Sequence, residues 1–162
     1  MITIFILIIS LSITLLLTIK HLQIRFAKIE ILILSLFLSF ICQHINFKIF
    51  SAYERLSVQE AFIPRVISYL HFGVVFPLLL FWVLYLFRSK APTPYKLFYA
   101  LLWLGFDLFS KQMYLIVNVL ESNTVSWYPL TDLGISTTTL ILAIVFMHKL
   151  RAIVKKEGVA IE

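Results

Sequence analysis

The stretch "LLWLGFDLFSKQMYLIVNVLES", Leu101 to Ser122, is nearly pure hydrocarbon on either side of "FDLFSKQ". Asp107, Lys111 and Gln112 interrupt a run otherwise suited to lipid. In a helix crossing a bilayer, an isolated charge at the centre costs about 2.5–3.5 kcal/mol on insertion scales. Asp107 must therefore be paired or protonated. Lys111 is its natural partner, four residues on, in the favourable acid-first order.

The rest of the chain supports the lipid reading. Of its 162 residues, 61% are hydrophobic and 14% charged, against about 45–50% apolar and about 25% charged in soluble domains. Mean hydropathy is +0.99. A soluble fold of this length cannot hide so much apolar surface. The net charge of +6 does not point to nucleic acid, because the basic residues gather at the ends of apolar runs, as membrane orientation requires. Cys42 is the one cysteine, which excludes an intrachain disulfide. "MITIFILIISLSITLLLTIK" lacks a basic leader and a small-residue cleavage site, so it is expected to be a retained first span.

Five apolar segments emerge: residues 3–19, 29–47, 66–87, 95–120 and 129–150. Each is long enough to cross a core of about 30 Å as a helix. Helices are expected because backbone groups in lipid must be paired internally. Fold class is thus all-α, a single transmembrane domain of five spans. Lys20, Arg25, Lys28, Arg88, Lys90, Lys96, Lys149, Arg151, Lys155 and Lys156 fall on one side; Lys48, Arg55 and Arg65 fall on the other. The positive-inside rule then puts the C-terminus in the cytoplasm and the N-terminus outside.

Local signals add detail. Pro77 should kink the third span. Trp127 and Tyr128 suit an outer aromatic belt. Ser51 and Glu54 match a capping box, which predicts a short amphipathic helix over Ala52–Phe62, either an interfacial connector or a lid.

Residues three, four, seven or eleven apart share a helix face. Asp107, Lys111, Tyr114 and Asn118 form one such stripe. Ser35, Ser39, Cys42, Gln43 and Asn46 form another on the second span, and Asp132, Ser136, Thr139 and Ala143 a third on the last. Ser68 and His71 lie near the outer end of the third span. By depth, Gln43, Asn46, His71, Lys111, Tyr114, Asn118, Asp132 and Ser136 all fall in the outer half. A polar pocket opening outward and closing near Asp107 is expected. Lys111 should sit between Asp107 and Asp132, with formal charges summing to −1. A proton, a charged His71 or a cation would balance them. Two roles stay open for this group: fixing helix register, or a functional site.

No nucleophile elbow, zinc-protease helix motif, phosphate loop or paired-cysteine motif occurs. His44, His71 and Asp132 share a depth, but His44 faces away, so neither a metal nor a cofactor is expected.

An acidic residue in the penultimate span, Asp107, followed by "SWYP" at the entrance to the last, resembles small uncharacterised multi-pass membrane proteins of spore-forming Gram-positive bacteria. The resemblance covers the last third of the chain. It implies a multi-pass bacterial membrane protein and carries no established activity. The Ile-, Leu- and Phe-rich, Ala-poor composition suits an AT-rich bacterial genome.

The sequence therefore reads as a plasma-membrane protein without enzymatic activity, a membrane subunit or a binding or sensing protein. Its partners would be the lipid bilayer and a second copy or another membrane protein. An oligomeric transporter or proton conductor using Asp107 is the alternative. A lipid-modifying enzyme, using Arg65, His71 and Lys111 on a head group, ranks third.

Overall fold

A computed structural model describes residues 1–52, 56–122 and 129–158. Helix α1 spans Ile2–Leu22 and α2 spans Lys28–Ala52. Helix α3 (Phe62–Leu70) passes through a π-helical turn (His71–Val75) into α4 (Phe76–Phe87). Helices α5 (Thr93–Ile116) and α6 (Pro129–Lys156) follow. The α3–α4 segment is one continuous rod, so five rods account for most of the described chain.

The ends of these helices have local causes. Lys20 and His21 lie in the last turn of α1, where cations suit the helix dipole. Glu30, third residue of α2, accepts the Ala27 N–H at 2.7 Å, half of a capping box. Pro92 is extended before α5 and Pro94 lies in its first turn, and Pro129 opens α6, where a missing N–H costs nothing.

Four rods are long and apolar enough to cross a membrane: Ile2–Leu22, Lys28–Asn46, Phe62–Phe87 and Pro129–Lys156. The remaining rod, α5, is of similar length but carries Asp107, Lys111 and Gln112. Its faces are sharply divided. Leu101, Phe109 and Ile116 are 64–66% exposed, whereas Asp107 and Lys111 are 0% exposed. The Asp107–Lys111 side of α5 faces the protein and the leucine and phenylalanine side faces out, with Gln112 exposed on it.

Two expectations about the segments between the helices are corrected. Residues Leu56–Val58, placed by sequence within an Ala52–Phe62 helix, form a strand, β1. It pairs antiparallel with β2 (Leu120–Ser122), in the register Leu56↔Ser122, Ser57↔Glu121 and Val58↔Leu120. The fold is mostly helical, as expected, with a small two-stranded ribbon added. Leu56 is buried while Ser57 and Val58 are both half-buried, so backbone pairing with β2, rather than an alternating apolar face, defines the strand. Glu54 of the expected capping box, Trp127 and Tyr128 lie outside the described residues.

The second correction concerns the fourth span, which stops at Ile116 rather than Leu120. Asn118 sits at φ 56°. The Val119 N–H reaches Tyr114 O at 2.8 Å and the Asn118 N–H reaches Leu115 O at 3.3 Å. These two bonds make a Schellman cap, with Asn in the left-handed position that Gly or Asn tolerates best.

Helix α2 packs on the π turn, α4 and α6; α5 lies between α4 and α6; α1 packs mainly on the α3–α4 rod. The main core therefore fills the space among α2, α4, α5 and α6. The break expected at Pro77 takes the form of the π turn immediately before it. Pro77 has no N–H to give the carbonyl of Gly73, four residues back. Ser39 Oγ of α2 donates to that oxygen instead, at 2.6 Å. Ser39→Ala is expected to cost about 1 kcal/mol in an SDS-titration unfolding measurement; an unchanged midpoint would show that the carbonyl has another donor.

Candidate functional site

The inward face of α5 carries Ala100, Trp103, Asp107, Lys111 and Tyr114, all buried. The inward face of α6 carries Asp132, Ser136, Thr139 and Ala143, also buried. Each set follows helical spacing, and the two faces meet. Lys111 Nζ donates to Asp107 Oδ2 at 2.9 Å and to Asp132 Oδ1 at 3.3 Å. Ser136 Oγ donates to the same Asp107 Oδ2 at 2.5 Å. Asp132 lies in the first turn of α6, where the helix dipole favours a carboxylate. One ammonium thus bridges two carboxylates from two helices, and a hydroxyl fixes the first.

The environment is closed. Asp107 and Lys111 have no exposed surface, and Asp132 is 5% exposed. Asp107 Oδ1 has no hydrogen-bond partner among the described residues. Cys42 on α2 is fully buried within electrostatic reach of both Asp107 and Lys111. His71, in the π turn, is fully buried. Its ring lies 5.0 Å from the Tyr114 ring, edge to face, and 5.7 Å from that of Phe106. Neither of its nitrogens finds a partner among the described residues. The site thus combines a bridged ion pair with unpartnered proton-binding atoms on Asp107 and His71.

No family model, no curated protein and no solved structure matches the chain.

Of the residues singled out by sequence, Asp107, Lys111, Asp132 and Ser136 are joined by direct bonds, and Tyr114 and His71 pack together beside them. The others stand apart. Asn46 is buried but donates its amide to Cys42 O of its own helix at 2.7 Å. Gln43 is half-buried, its amide nitrogen 3.6 Å from where a Cβ on Gly73 would stand. Asn118 is exposed, beyond the end of α5, so it does not continue the polar stripe. The helical spacing used to place it ceases to apply after Ile116. No three His, Cys, Asp or Glu side chains converge as a metal site among the described residues.

Sequence reasoning missed a second buried ion pair. Arg88 Nη1, just past α4, donates to Glu30 Oε1 at 2.9 Å and to Oε2 at 3.0 Å. The side chains are 5% and 1% exposed. The guanidinium also lies 4.4 Å from the Phe26 ring centroid. Counting Arg88 as an ordinary loop charge hid this. The available signal was an acid and a base at the same end of two apolar runs.

Proposed function

We propose that this chain is a five-span protein of the bacterial plasma membrane, with its N-terminus outside and its C-terminus cytoplasmic. We propose further that it is non-enzymatic and serves as a small binding or sensing subunit, with the Asp107–Lys111–Asp132–Ser136 cluster as its responsive centre. The observation that carries this reading is the inverted build of α5. Its mid-helix charges, Asp107 and Lys111, are wholly enclosed and its leucine and phenylalanine face is bare. That distribution is stable in lipid, where intramembrane ionisable residues face the bundle interior, and costly in water. The Lys and Arg distribution supports this orientation, with the cluster in the outer half. Its closed packing suits a centre that responds by rearranging, in concert with a second copy or another membrane protein.

A second reading has one observation in its favour. Asp107 Oδ1 and both His71 nitrogens are buried without partners among the described residues. Spare proton-binding atoms beside a carboxylate suit a proton carrier in an oligomeric transporter.

One pair of measurements separates the two. Proteoliposomes holding the purified wild type should dissipate a pH gradient no faster than empty liposomes. In detergent-free polymer discs, the wild type should keep its oligomeric or hetero-oligomeric partner, and Asp107→Asn should weaken that association by about fivefold or more. Proton flux abolished by Asp107→Asn would replace the subunit reading with the carrier one. A monomer with neither flux nor partner would exclude both.

A further inference from the structure

A groove of about 870 Å³ runs between α1 and α5, floored by α4. Its size lies within the range of about 300–1,000 Å³ typical of small-molecule sites. Aromatic rings dominate it: Trp82 and Tyr85 from α4, Tyr99, Trp103 and Phe106 from α5, facing Leu11 of α1. Along α5 it extends from Tyr99 to Phe109, about 15 Å at 1.5 Å per residue. That is the depth of one leaflet, half of a hydrocarbon core of about 30 Å. It does not continue through the other half. There Ile8 of α1, Ile67 and Phe72 of the α3–α4 rod, and Tyr114 of α5 belong to one packed cluster. A neighbouring transmembrane helix would need the full length.

Two cations without an ion-pair partner among the described residues stand beside residues of the groove. Arg25, between α1 and α2, holds its guanidinium 4.9 Å from the Tyr85 ring centroid. Its Nε is buried without a hydrogen-bond partner. Lys96 stands on α5 three residues before Tyr99 and seven before Trp103, hence on the groove's own face. Neither makes an ion pair with a described residue. An apolar trough one leaflet deep, belted by Trp and Tyr and ending in two unpaired cations, matches one occupant in shape and charge.

We propose that this groove binds an anionic phospholipid of the cytoplasmic leaflet. One acyl chain lies along Tyr99, Trp103 and Phe106, and the phosphate is held by Arg25 and Lys96. The proposal rests on the membrane reading above. Gly105 opens the trough further, because a Cβ there meets nothing within 4 Å.

The chain has three tryptophans, and two of them, Trp82 and Trp103, line the groove. In a Trp127→Phe background all indole fluorescence therefore reports on it. The full-length protein is placed in phosphatidylcholine vesicles with a minor share of brominated-chain phosphatidylglycerol, or of brominated-chain phosphatidylcholine. Brominated phosphatidylglycerol should quench at several-fold lower mole fraction. A cation in direct contact with the head group contributes up to roughly fivefold to that preference. Arg25→Gln with Lys96→Gln should abolish it, whereas Lys20→Gln with Lys28→Gln should leave most of it. Gly105→Phe should fill the trough and reduce quenching by both lipids. Equal quenching by both lipids, unchanged in the Arg25–Lys96 double variant, would overturn the proposal, since bulk lipid would then be all that is there. Quenching by neither, with the protein still floating with the vesicles, would also overturn it and point to a helix or a second copy in the groove. Protein that fails to float with vesicles sinks the membrane reading itself.

Discussion

Lys111→Met is expected to destabilise the protein by about 3–5 kcal/mol, the usual cost of removing one partner from a buried ion pair. Lys111 bridges Asp107 and Asp132, so its loss leaves two carboxylates facing each other out of water. Asp107→Asn should cost far less, about 1 kcal/mol. Asparagine still offers an oxygen to Ser136, and the Lys111–Asp132 pair survives as a neutral unit. The prediction is therefore an order as well as a size. Equilibrium unfolding of the two variants in mixed micelles checks it. Equal losses would show that charge balance is not what holds α5 to α6.

Arg88→Met should produce a loss of similar size, about 3–5 kcal/mol, at the other end of the bundle. It strands Glu30, whose side chain is 1% exposed, and removes the stacking on Phe26. Adding Glu30→Gln should recover most of the loss, because glutamine can still accept the Ala27 N–H that caps α2. A double variant no better than Arg88→Met alone would mean that the cation–π contact and packing of the arginine matter more than the charge it neutralises.

These two pairs illustrate how far the sequence could be read. Asp107 and Lys111 were legible because both lie on one helix, where spacing alone decides the face. Asp132 and Ser136 followed because they open the adjacent helix at matching depth. Glu30 and Arg88 were not legible in the same way. They stand on different helices that are not neighbours in sequence, and their meeting depends on how α2 packs against α4. Asn118 failed for a different reason. Periodicity holds only while the helix lasts, and the left-handed cap that ends α5 is set by a single residue. The same limit hid the ribbon. Three-residue strands carry too short an alternation to compete with an apparent helix cap at Ser51 and Glu54, and their pairing joins segments far apart in the chain. The apolar groove escaped because it is a gap between helices, made by the absence of α1–α5 packing rather than by any residue.

The β1–β2 ribbon also bears on the order in which the molecule is assembled. Strand β1 is synthesised directly after α2, but β2 follows only after the α3–α4 rod and α5 have been made. Long-range pairing of this kind must wait for its second half. The Glu30–Arg88 bond, by contrast, is complete as soon as α4 has emerged. One end of the protein can therefore lock early, while the other keeps an unpaired strand edge until α5 is in place. A chain arrested between α4 and α5 would hold its first ion pair intact and still present a bare strand edge to quality-control proteases.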